Sequence, residues 1–330
     1  MHLTALSGGL DSRMTSVVAH ELGYTNQLNI TFSQSGYLDQ SIAQQIASDL
    51  GHEWLFKSLD TGRYLTDIDE TTEYTGGNVM YYGIAHGQSL LDLLDVSKYD
   101  LIHTGDIGDV IVGALAKKHT SWSTKEGAFD TRLLGKVKFD IDYPNGEIGR
   151  FCNRYPNGIV LSSHIKSKES FESYAPFLDK DFLDFCLHLP LEYRAHHYIY
   201  KKWIIAKHPL AAKYVWEKTK TKITEHTVNI LGRNLPVSQV PKGIYNKLKR
   251  IVGLVGDPTG SKWGMNPHAY YIEHNEWIKS YLDNYFNSTI DLIIESELKT
   301  DVMSLYQTGS AIEKIMALSL LSAVKRFKLQ

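Results

Sequence analysis

Residues 7–12 read Ser-Gly-Gly-Leu-Asp-Ser and lie between a short apolar run, residues 3–6, and a helical pattern carrying Met14, Val17, Val18 and Leu22. An apolar run, a glycine turn and an amphipathic start in immediate succession restrict the entry of this chain to a strand, a tight loop and a helix. The same succession makes an anion site. N–H groups of the turn point outward, glycine lets the backbone approach closely, and the helix dipole favours negative charge. Gly8 and Gly9 supply the turn, Ser7 and Ser12 add hydroxyls, and Asp11 can hold a divalent cation that bridges phosphates. No lysine follows the glycines as a Walker A loop requires, and no G-x-G-x-x-G fingerprint is present.

Four β-like runs, residues 3–6, 28–33, 54–57 and 100–104, alternate with helical patterns over 11–23, 39–50 and 86–96. This alternation predicts an α/β fold, a parallel doubly wound sheet with helices on both faces. Ligands of such sheets bind at the carboxyl ends of the strands. That places residues 7–12, 31–33 and 105–109 along one edge. From 120 to 150 the chain reads as a loop-rich crossover. Beyond 170 it is mainly helical, with patterns over 179–188, 199–208, 242–251, 275–297 and 309–327 and a polar stretch at 218–240. The expected organisation is an α/β core over 1–120 and a mostly helical C-terminal part over 121–330 that completes the site.

The formal net charge of −2 gives no global attraction to nucleic acid or membrane. Cys152 and Cys186 form no Cys-x-x-Cys pair, which argues against a zinc site or a disulfide framework. With no signal-peptide pattern and no apolar stretch long enough to span a bilayer, a cytoplasmic location is expected.

Three further stretches carry candidate chemistry. Asp106 and Asp109 lie on a predicted strand-to-helix turn opened by Thr104 and Gly105. One carboxylate there can ligate Mg²⁺ while the other handles a proton. Lys201 and Lys202 lie in an amphipathic helix whose Trp203 and Ile204 are expected to face the core, so one lysine can reach a phosphate. Residues 176–179, Pro-Phe-Leu-Asp, read physically as a capped helix entry.

In order and spacing these stretches resemble the synthetase domain of the asparagine synthetase family, within the N-type ATP pyrophosphatases. The family's S-G-G-x-D-S loop is matched by residues 7–12. Its D-E-x-x-x-A helix is matched loosely by residues 39–43. Its G-E-G-x-D-E-x-x-x-G motif is matched loosely by residues 105–113, with Gly113 one position early. Its P-F-L-D, lysine helix and W-x-K stretch are matched by residues 176–179, Lys201 and residues 216–219. The resemblance covers roughly residues 3–225. It implies the adenine-nucleotide α-hydrolase (HUP-like) sheet and an AMP-forming amide ligase that uses ATP and Mg²⁺. Ser7, Gly8, Gly9 and Ser12 would then hold the departing pyrophosphate, Asp11 and Gly105 would complete the nucleotide site, and the backbone around Thr31 and Phe32 would read the adenine. Asp11 and Asp109 would hold the metal, Lys201 would contact the α-phosphate, and Asp106 would accept a proton from the amine. The acceptor expected first is the β-carboxylate of aspartate.

The chain departs from the family at Asp106, where the motif has Glu, and at Val110, where it has a second Glu. Family members that use glutamine begin with a glutaminase domain whose nucleophile is Cys at position 2; here that residue is His2. Free ammonia or another amine, a separate glutaminase subunit, and a longer parent chain all fit. So do two other outcomes: a related macrolactam or amide synthetase with another acceptor, and a non-catalytic paralogue. A tRNA-modifying role is disfavoured by the absence of a basic aromatic patch.

Overall fold

The computed structural model describes residues 1–114, 121–123, 136, 141–153, 172–230, 233–241 and 263–329. Its centre is a parallel sheet of β1 (His2–Ala5), β2 (Gln27–Ser33), β3 (Glu53–Ser58), β4 (Leu101–His103) and β5 (Glu172–Tyr174), in the order β3-β2-β1-β4-β5. Strand order reverses between β1 and β4. Residues 7–12 and 104–109 therefore leave neighbouring strands in opposite senses and open a crevice between them. The first four strands match their apolar runs within a residue or two. β5 was not expected, since the sequence around it carries only a short β-like signal ahead of Pro176.

α1 (Asp11–Glu21) and α2 (Leu38–Leu50) lie on one face of the sheet, and α2 ends on Gly51 at φ 68, as its helix-stop signal predicts. α3 (Ile68–Thr75) and α4 (Tyr82–Leu91) follow β3. The period-2 alternation of β2 sends Leu28 and Ile30 into an apolar cluster with Leu90, Leu91 and Ile102. Gln27, Asn29 and Thr31 point the other way, into hydrogen bonds with Ser16 of α1, His52, Trp54 and the Leu6 carbonyl.

The C-terminal half supplies α5 (Lys180–His188), α6 (Tyr198–Lys207), α7 (His268–His274), α8 (Glu276–Thr289), α9 (Ser296–Thr308) and α10 (Ala311–Phe327). The pattern over 275–297, read as one helix, is broken. Glu295 accepts hydrogen bonds from the amides of Glu297 and Leu298 and so starts α9 afresh. Ser310 and Glu313 form a capping box at α10. The expected helix over 242–251 lies outside the described residues. Helices α7 to α10 share one apolar cluster with Leu65, Ile68 and Tyr81, so they pack directly on the first half of the chain. A second cluster joins Met14, Val17, Ile42 and Ile46 to Phe177, Tyr200, Ile204 and Trp216. That cluster brings α6 and the chain after it beside the glycine turn. No helix among the described residues is long and apolar enough to cross a membrane.

Two histidine pairs are built into this core. His2 and His103 hydrogen-bond ring to ring at 2.8 Å across β1 and β4, as do His20 and His52 at 2.8 Å between α1 and the start of β3. Burial and the neighbouring ring push His103 and His52 down to about 4. The unfolded chain protonates these groups below about pH 6.5, whereas the native one resists until about 4. The native state therefore binds fewer protons across that window and loses stability as pH falls through it. Urea denaturation is expected to show a loss of about 1 kcal/mol per pair between pH 6.5 and 4. His52→Gln is expected to flatten its share of the slope.

Candidate active site

Each element that meets at the crevice does so through close backbone approach. A Cβ on Gly105 would lie 2.6 Å from the Ser12 amide nitrogen, and one on Gly108 would lie 2.5 Å from the Asp11 carboxyl carbon. These two glycines let the turn after β4 press onto the first turn of α1, which sets Asp11 beside Asp109. Gly108→Ala is expected to destabilise the fold by about 1–3 kcal/mol in urea denaturation, since the added methyl must displace the buried Asp11 side chain. Gly8 is equally constrained, because an added Cβ would lie 2.8 Å from Cβ of Glu217.

The glycine turn is tied internally. The Ser7 amide donates to Ser12 Oγ at 3.1 Å, the two hydroxyls lie 2.9 Å apart, and the Gly9 amide donates to Ser7 Oγ at 3.1 Å. One expectation is corrected here. Neither glycine N–H points outward: that of Gly9 is taken by Ser7 Oγ, and that of Gly8 donates to Asp39 Oδ1 at 2.6 Å. Asp39 stands in the first turn of α2, where its carboxylate meets the same N–H dipole that an external anion would seek. Burial pushes Asp39 up to about 6, with Glu217 adding to the rise and the Gly8 N–H opposing it.

Two cavities adjoin the turn and share Gly9 and Asp11. The larger, about 430 Å³, runs along the carboxyl ends of β1, β2 and β4. Ser7, Ser12, Thr104, Gly105 and Asp106 stand at its polar end, and Ile30, Phe32, Ile84, Gly87, Leu91 and Met265 form its apolar walls. Thr31 does not line it, because strand alternation turns its hydroxyl to the Leu6 carbonyl at 2.8 Å. The contribution of α4 and Met265 carried no signal in the sequence, since those residues are ordinary apolar helix and loop positions. Gly87 is the exception. A Cβ there would lie 3.2 Å from Phe32 Cζ, so the glycine seats the Phe32 ring.

The smaller cavity, about 320 Å³, is lined by Asp11, Asp109, His197, Tyr200, Trp216, Glu217 and Lys218, with Gly9 and Leu10. Lys218 sits on a tight turn between the short paired strands Val215–Trp216 and Thr221–Lys222, closed by the Lys220 amide donating to the Trp216 carbonyl at 2.7 Å. Its ammonium lies 3.4 Å from His197 Nε2 and 5.5 Å from the Trp216 ring. Lys201 does not line this cavity. Burial and the Lys218 charge lower its pKa, so the two ammonium groups are electrostatic neighbours. Among the described residues, neither forms an ion pair with a carboxylate within 4.0 Å. Lys202 stays exposed over the Tyr198 ring, and Trp203, expected in the core beside Ile204, is exposed as well, while Ile204 is buried. Lys218 lay within a stretch noted only for its resemblance; what a sequence cannot reveal is that the turn returns to Asp11.

Asp11 is the electrostatic centre. Burial and the Asp109 carboxylate push it up to about 7, against the pull of Tyr200, the Asp109 amide and Lys218. The buried Tyr200 hydroxyl faces Asp11 without closing a hydrogen bond of regular geometry. A divalent cation between Asp11 and Asp109 relieves their repulsion, so the donor set fits Mg²⁺. No group of three His, Cys, Asp or Glu side chains is assembled among the described residues. Mg²⁺ suits such a site, because it keeps waters and takes its remaining ligands from a substrate's phosphates. Asp106 accepts from Thr104 Oγ1 at 3.0 Å and lines the larger cavity with Asp11, whereas Asp109 lines the smaller one. Asp179 caps α5, accepting from the amides of Asp181 and Phe182, both at 3.0 Å.

Compared with known proteins, the chain matches no family model and no curated sequence.

Proposed function

We propose that this chain is an ATP-dependent amide-forming ligase of the asparagine synthetase type, built on a HUP-like sheet. It charges a substrate carboxylate with AMP, releases pyrophosphate, and passes the acyl group to ammonia or another amine. The observation that carries this is the pair of cavities joined at Asp11: an apolar slot at the sheet edge, and a polar chamber lined by Lys218 and two aspartates, with the Lys201 charge close to Lys218. A nucleoside fits the first and a diphosphate the second, with the α-phosphorus between them. The backbone around residue 107 adds support. Ile107 adopts φ 64, a left-handed conformation that favours glycine, at the position where the family motif carries Gly.

In this mechanism the adenine ring lies against Ile30 and Phe32, and the Ser7 and Ser12 hydroxyls at the polar end of the slot meet the α-phosphate. A carboxylate oxygen attacks the α-phosphorus, the bond to the β-phosphate oxygen breaks, and pyrophosphate leaves with the electron pair. Lys218 stabilises the charge that develops on the leaving group, with Lys201 adding its field. Asp11 and Asp109 would hold Mg²⁺, which neutralises phosphate charge when bound. The amine then attacks the acyl carbon, AMP leaves with the C–O pair, and Asp106 takes the proton released by the amine. The amine comes free or from a glutaminase partner.

The test is Mg²⁺-dependent exchange of labelled pyrophosphate into ATP across a panel of carboxylates led by aspartate. Exchange that requires one of them supports the ligase and names the acceptor. Tight ATP–Mg²⁺ binding in calorimetry with no exchange for any carboxylate points instead to a non-catalytic paralogue.

A further inference from the structure

Arg13 is fully buried, at 0 % exposure, and among the described residues it has no carboxylate partner. Its guanidinium instead donates to four backbone carbonyls. Nη1 reaches Ala211 O at 3.1 Å and Tyr214 O at 3.3 Å, and Nη2 reaches Gly8 O at 3.1 Å and Val215 O at 2.6 Å. One of those carbonyls belongs to the glycine turn. The other three belong to the segment that leads directly into Trp216, Glu217 and Lys218. The Glu217 amide adds a backbone bond to the same Gly8 carbonyl at 3.1 Å.

Burying a guanidinium away from any carboxylate is costly, and an apolar side chain of similar volume would fill the space without that cost. Burial does lower the Arg13 pKa, to about 10, which leaves the group charged at neutral pH. Lysine cannot substitute geometrically, because only the planar fork presents donors in fixed, diverging directions. Arg13 stands two residues after Asp11 on the first turn of α1. It therefore links the helix that carries the anionic ligand to the turn that carries the cation on the opposite wall of the same chamber.

Resting on the diphosphate assignment above, we infer that Arg13 is a positioning residue: it holds the Lys218 turn against the glycine turn so that Lys218 and Asp11 face one diphosphate at fixed separation. It acts through the backbone and does not touch the substrate. Without it, the chamber loses the spacing between its walls while the nucleoside slot, built from β1, β2, β4 and α4, is unchanged.

The experiment compares native protein, Arg13→Met and Arg13→Lys by amide hydrogen exchange and by calorimetry with adenosine and, separately, with Mg²⁺ and inorganic pyrophosphate. In Arg13→Met, amides of residues 215–219 are expected to exchange faster by about tenfold or more, and pyrophosphate affinity to fall about tenfold or more, with adenosine affinity within about twofold of native. Arg13→Lys is expected to recover part of the pyrophosphate affinity. A folded Arg13→Met with native protection at 215–219, or with native pyrophosphate affinity, overturns the inference. Should Arg13→Met fail to fold, native protein decides: pyrophosphate must slow exchange in residues 8–13 and 215–219 as one unit, and independent responses overturn the tie. If native protein does not bind pyrophosphate at all, the diphosphate assignment is what fails. The exchange rates of the variants, measured without ligand, still report separately whether Arg13 holds the two turns together.

Discussion

Asp11→Asn is expected to abolish ATP–pyrophosphate exchange, by about a thousandfold or more, while making the protein without nucleotide more stable. The loss follows from removing one of the two carboxylates that hold Mg²⁺ against the phosphates. The gain follows from the sign of the pKa shift. The native carboxyl sits at about 7 against 3.8 in the unfolded chain, so the native state carries the extra proton between those values. Its contribution to stability is therefore lost as pH rises from about 4 to 7, because the charged form is buried beside Asp109. A neutral amide of the same shape escapes that penalty. At pH 7 Asp11→Asn is expected to gain about 1 kcal/mol or more in urea denaturation, and the gain should shrink toward pH 4. Mg²⁺ should raise the melting temperature of the native chain and leave that of the variant unchanged. An unchanged exchange rate, or a destabilised variant, removes Asp11 from the role given to it.

Lys218→Ala is expected to lower the exchange rate by about a hundredfold to a thousandfold, the usual size for losing one preorganised charge at a developing anion. Lys201→Ala is expected to lose less, about tenfold, since its charge acts from behind the cavity wall. Lys202→Ala, on the exposed side of α6, should be silent. The order 218, 201, 202 is the informative result. An equal or larger loss at Lys201 would place the reacting phosphate deeper toward α6 than the cavity geometry implies.

How far the sequence anticipated this follows from the range of each signal. Strand-loop-helix entry, parallel order and the edge that holds the crevice are written in local periodicity and in two glycine turns, residues 7–12 and 105–109, and these were legible. The outward N–H at Gly8 was not, because its partner Asp39 is brought in by α2 packing. At Thr31 only the backbone was expected to meet the ligand; alternation turns its side chain away, which becomes decisive only once the cavity side is known from Ile30 and Phe32. Lysine position was the hardest part. An amphipathic helix advertises Lys201 and Lys202, whereas Lys218 lies on a two-stranded turn, and the segment leading into it is hydrogen-bonded to a buried arginine about two hundred residues earlier in the chain. Long-range contacts of that kind leave no periodicity to read.

The central claim is nucleophilic attack at the α-phosphorus by a carboxylate. It is tested most directly by incubating the protein with ATP, Mg²⁺, ammonia and the carboxylate that supports exchange, labelled with ¹⁸O, and following products by ³¹P NMR. The expected result is AMP and pyrophosphate in equal amounts, with one ¹⁸O carried from the acid into AMP. ADP and orthophosphate, or AMP free of label, would contradict it.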